Sequence, residues 1–69
     1  MSTYLVIYER GDEAWGAYSP DLPGCVAVGA SRAEVEKLMD EAVPFHLECM
    51  RAHGTPIPPP ANFAGYVAA

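Results

Sequence analysis

The chain has 69 residues, nine acids against four bases, and a formal net charge of −5. That length allows one small domain, residues 1–69, burying only about 60% of the surface its unfolded form exposes; a second subunit is a natural source of added stability. The acidic balance argues against direct binding of nucleic acid, which requires a basic face, and suits a basic partner. The two cysteines, Cys25 and Cys49, have neither metal-type spacing nor a disulfide framework around them. The start of the chain lacks a basic segment followed by a long apolar one. No apolar run approaches the ~18 residues of a membrane span. A reduced, cytoplasmic chain without membrane association is expected.

Tyr4 to Tyr8 is β-branched and aromatic, the composition of a strand. Alternation puts Tyr4, Val6 and Tyr8 on one face and Leu5 and Ile7 on the other. The polar turn Glu9-Arg10-Gly11-Asp12-Glu13 leads into a second strand, Ala14 to Ser19, with Trp15 and Ala17 on one side and Gly16 and Tyr18 on the other. So short a connection predicts an antiparallel hairpin. Pro20-Asp21-Leu22-Pro23-Gly24 then forces a tight loop, in which Asp21 is expected to cap the turn. Cys25 to Val28 reads as a third strand, closed by Gly29.

Ser31 is a helix N-cap, and Glu34 stands where a capping box needs it. At about 100° per residue, Val35, Leu38, Met39, Ala42, Val43, Phe45, His46, Leu47, Cys49, Met50 and His53 share a broad apolar side. Lys37, Asp40, Glu41, Glu48 and Arg51 share the opposite one. Pro44 costs ~3 kcal/mol in a helix interior, but it projects to the middle of the polar side, where the freed carbonyl of Asp40 can be hydrated. One helix, bent at Pro44, is therefore expected. His53 suits the helix end and Gly54 a C′ position. Residues 56–60 hold four prolines and form a stiff linker. Phe63 to Val67 could add a terminal edge strand. The expected fold is α+β: a mainly antiparallel sheet of three to four strands with one helix on one face, in the order β-β-β-α-β.

One helix covers one face of a sheet, yet Tyr4, Tyr8, Trp15 and Tyr18 cannot all lie beneath it. Some of this surface is expected to meet another subunit or a partner, unless residues 63–67 fold back over it. The four aromatics are the expected partner- or subunit-binding residues. Other chemistry is weaker. A magnesium nuclease needs clustered carboxylates, but Glu9, Asp12 and Glu13 fall at a hairpin turn and Asp21 in another. His46, Cys49 and His53 share a helix side but lack a fourth zinc ligand. Cys25 has no base nearby to make it a nucleophile. No catalytic set, cofactor or metal is expected. The reading from another class is a stand-alone, homo-oligomeric small-ligand-binding or regulatory domain, with a pocket between sheet and helix near His46.

The stretch Tyr18-Ser19-Pro20-Asp21-Leu22-Pro23-Gly24-Cys25 resembles the signature of HicB-like antitoxins: a strand, a Pro-Asp-Leu-Pro-Gly turn, and a third strand. Gly29-Ala30-Ser31-Arg32-Ala33-Glu34 resembles the family's step into a capped helix, and Gly54 to Pro60 its glycine- and proline-rich exit. The resemblance implies a fold like a reduced RNase H fold without its active site. It also implies a role in a toxin–antitoxin system. The partner would be a small basic HicA-type toxin that cleaves mRNA, its catalytic face covered by the antitoxin. Many members carry a further C-terminal DNA-binding domain; none is read in these residues, so operator binding is not expected of them.

Overall fold

A computed structural model describes residues 2–69. Three strands, β1 (Ile7–Arg10), β2 (Trp15–Tyr18) and β3 (Val26–Gly29), precede a single helix, α1 (Arg32–Ala52). The sheet is antiparallel throughout, in the order β1-β2-β3. Its register aligns Ile7 with Tyr18 and Tyr18 with Val26; the next row is Tyr8, Ala17 and Ala27. The α+β class, the hairpin and the helix after the third strand agree with the sequence.

The first strand differs from its expected span. Its ladder begins at Ile7, not Tyr4. The Ser19 hydroxyl, on a residue 3% exposed, donates to the Leu5 carbonyl at 2.9 Å. A side chain thus fastens the residues ahead of β1 to the end of β2, where the ladder makes no bond.

The helix starts as its cap dictates. Ser31 is extended, and its Oγ accepts from the Glu34 N–H at 3.2 Å. The helix runs unbroken through Pro44, which is exposed as its projection requires. Its end is a Schellman motif. Gly54 takes φ +68°, its N–H donates to the Arg51 carbonyl, and the Thr55 N–H donates to the Met50 carbonyl at 2.8 Å. Gly54 is needed there because side chains rarely adopt that backbone conformation.

The core lies between helix and sheet: Ala17, Leu22, Cys25, Val35 and Met39 are buried, with Leu22 and Val35 fully so. Leu22 comes from the loop between β2 and β3, which closes through Leu22 N–H to Ser19 O and Cys25 N–H to Leu22 O. Two prolines preset this loop, so it delivers an apolar side chain under the helix at low entropic cost. Gly24, at φ +86°, completes it.

The terminal edge strand expected at Phe63 to Val67 is a correction. No described residue after α1 belongs to a strand, and Phe63, Tyr66 and Val67 stand 80%, 97% and 96% exposed. The order among the described residues is β-β-β-α. Strand pairing needs a partner edge in register, and β-branched or aromatic composition alone does not supply one.

Candidate partner-binding face

Alternation divides the sheet into two faces. Tyr8, Ala17 and Ala27, with Trp15 beside them, pack toward Val35 and Met39 of the helix; Tyr4 and Val6 extend this side ahead of β1. The other face carries Ile7, Tyr18 and Val26 in one row and Glu9, Gly16 and Val28 in the next. Tyr18 is 37% exposed, Val26 63% and Val28 70%. β3 is a sheet edge without a charge. The two valines and the tyrosine, at the β3 end of the sheet, make an apolar surface that the helix cannot reach.

The four aromatics expected to meet a partner or a second subunit are divided between the two faces. Tyr18 stands on the open one. Tyr4, Tyr8 and Trp15 stand on the helix side, half-buried against the core, and not on the open sheet face. The sequence showed that one helix could not hide four aromatics fully, and none of them is fully hidden. Tyr8 is flanked by Arg32, whose guanidinium lies 5.6 Å from the ring centroid. Burial raises the Tyr8 phenol pKa above its ordinary value, Glu36 and Asp40 add to the rise, and Arg32 opposes it. Val26 and Val28 were missed as surface residues. The available signal was their alternation about Ala27 in β3.

In the signature turn, Pro20 and Asp21 are half-buried, Leu22 is buried, and Pro23 and Gly24 are exposed. Asp21 does not cap this turn as expected. Its carboxylate accepts instead from the backbone N–H groups of Ala61 and Asn62, at 3.2 and 3.3 Å, and from the Asn62 side-chain amide at 2.6 Å. Desolvation works to raise its pKa, but these three bonds to the charged form outweigh it and the pKa lies below the ordinary carboxylate value.

The residues weighed for other chemistry do not converge. Among the described residues no three His, Cys, Asp or Glu side chains gather into a metal-holding group. The His53 ring meets the Cys49 carbonyl at 2.7 Å through Nδ1. Cys25 is 3% exposed, and burial raises its thiol pKa, the reverse of what activates a nucleophile. Glu9, Asp12 and Glu13 are exposed. The groove between the N-terminal residues and the helix is open and lined by Tyr4, Val6, Tyr8, Met39, Val43 and Pro44 among others; His46 is not part of it, contrary to the pocket expected there. His46 lies instead beside Gly24, where an added Cβ would sit 4.0 Å from its ring. Among the described residues no helix is long and apolar enough to cross a membrane.

Comparison with known proteins agrees with this architecture. A family model described as the HicB-like antitoxin of bacterial toxin–antitoxin systems matches residues 4–69. A solved structure described as a HicA3 and HicB3 toxin–antitoxin complex contains a similar chain, with 32% sequence identity and a TM-score of 0.70. The likeness covers 86% of this chain and 70% of that one. No curated protein matches. On the extent of the family match, over nearly the whole sequence, the chain belongs to the HicB-like antitoxin family of bacterial toxin–antitoxin systems.

Proposed function

We propose that the chain binds a small, basic HicA-type toxin and neutralises it by covering the toxin's catalytic surface. The observation that carries this reading is the uncovered apolar face of Tyr18, Val26 and Val28 in a chain of antitoxin family. Contiguous exposed apolar surface marks interaction sites in small soluble domains. The similar chain of known structure comes from a toxin–antitoxin complex. The net charge of −5 favours encounter with a basic partner. Tyr18 is the aromatic anchor on this face, flanked by the valines. Tyr4, Tyr8 and Trp15 support the sheet from the helix side, and Tyr4 and Tyr8 line the groove. The role is occlusion, without chemistry of the chain's own. A homo-oligomer in the cytoplasm is the expected working form, because a chain this short gains stability from a second subunit.

Titrating the chain into an RNA-cleavage assay of its cognate toxin tests the reading. Cleavage is expected to stop near an equimolar ratio. Undiminished cleavage at a large excess of the chain would refute it.

A further inference from the structure

The C-terminal segment leaves the helix through a proline-rich run and returns toward the start of the chain. It is fastened at two points. The Tyr4 hydroxyl donates to the Pro58 carbonyl at 2.6 Å. The Asp21 carboxylate then takes the three hydrogen bonds from Ala61 and Asn62. Prolines between residues 56 and 60 stiffen the run that reaches these points, so little entropy is lost in holding it there. Beyond them the segment passes the outer side of the N-terminal residues across open gaps, with Phe63 and Tyr66 exposed. Thr3, Tyr4 and Leu5 border one gap with Asn62 and Phe63. Leu5, Ile7 and Tyr8 border the next with Ala64 and Tyr66. That side is a sheet edge, since β1 is paired only with β2. An unguarded edge is a template for pairing with another chain.

We propose that Asp21 and Tyr4 form a clasp that straps the C-terminal segment along the outer edge of β1 and so guards that edge against pairing with a second copy of this chain. Asp21 is the stronger half, because a charged acceptor with several donors makes stronger hydrogen bonds than a neutral pair. The clasp gives the aspartate of the signature turn a task outside the turn, and it is independent of whether the open face binds a toxin.

The test uses the full chain and four variants: Asp21→Ala, Asn62→Ala, Tyr4→Phe, and Asp12→Asn as a charge control on the exposed hairpin. Amide hydrogen exchange reads the clasp, and sedimentation velocity over a range of concentrations reads association. In Asp21→Ala the amides of Ala61 and Asn62 are expected to exchange on the order of tenfold faster than in the wild type. Asp21→Ala and Asn62→Ala are expected to form assemblies larger than the wild type's own working form, Tyr4→Phe fewer of them, and Asp12→Asn none. Asn62→Ala keeps the turn and the net charge, so it answers even if the Asp21 variant fails to fold. Two results would overturn the proposal: wild-type amides at 61 and 62 as unprotected as those of the variants, or released segments with unchanged sedimentation.

Discussion

Ser19 and Leu5 are joined by a hydrogen bond of 2.9 Å from the serine hydroxyl to the leucine carbonyl, and Ser19 is the one buried polar residue among those described. The bond supplies a partner for a backbone carbonyl just before the sheet ladder begins. Ser19→Ala removes it and leaves that carbonyl unpaired, which costs about 1–3 kcal/mol. Chemical denaturation should show this loss. Ser2→Ala, at an exposed position, should leave the midpoint where it is.

The core predicts a steeper effect. Leu22 and Val35 are both fully buried, one from a loop and one from the helix. Leu22→Ala is expected to cost about 2–5 kcal/mol through lost burial and a residual cavity. Since a domain of this size has little stability to spare, the variant is expected to be largely unfolded at 37 °C by circular dichroism. A wild-type melting curve in Leu22→Ala would mean that the loop residue is not part of the core.

Pro44 predicts a gain. It is exposed, and the helix continues through it. Replacing it with alanine restores a backbone donor and removes the clash with the preceding turn, a change worth up to about 3 kcal/mol. A higher melting temperature for Pro44→Ala is expected. A lower one would show that the proline's shape is used, as its place in the groove wall beside Tyr4 and Val43 would allow.

Much of this fold is legible from residue types. The second aromatic run, the Pro-Asp-Leu-Pro-Gly break and the Ser31 cap are local signals and appear where the local chemistry puts them, whereas the first run enters the ladder only at Ile7 and stays paired to Arg10, inside the expected turn. The helix exit at Gly54 is equally local, because a positive φ selects glycine. What stayed hidden depends on distance along the chain. Asp21 meets Asn62 across 41 residues, and nothing near either residue announces the pairing, so the turn cap was the natural reading for the aspartate. The side of the sheet taken by the helix was hidden for a related reason. Tyr4, Tyr8 and Trp15 are apolar enough for either face, and only the small Ala17 and Ala27 beside them make room for a helix. Phe63 to Val67 has strand composition without a strand's partner.

The Asp21 carboxylate predicts a pH dependence. Its pKa in the folded chain lies below the ordinary 3.8 because three hydrogen bonds to the charged form outweigh desolvation. A group with a depressed folded pKa contributes its full stabilisation above the unfolded value and loses it as pH falls through the folded one. Order in residues 61–62 is therefore expected to hold at neutral pH and to fade below pH 3.8. Backbone resonances of Ala61 and Asn62 followed from pH 6 downward would show it, and a transition above that value would contradict it.

If the proposed face of Tyr18, Val26 and Val28 binds the toxin, a binding titration of Val28→Glu reads the contact. Val28 is 70% exposed, so the substitution leaves the core intact while placing a charge on the apolar surface. Calorimetry of wild type, Val28→Glu and the helix-face control Glu48→Ala against the cognate toxin would give the three affinities. A loss of about 2 kcal/mol or more, roughly thirtyfold, is expected for Val28→Glu, and little change for Glu48→Ala. Equal affinities for Val28→Glu and wild type would place the toxin on another surface.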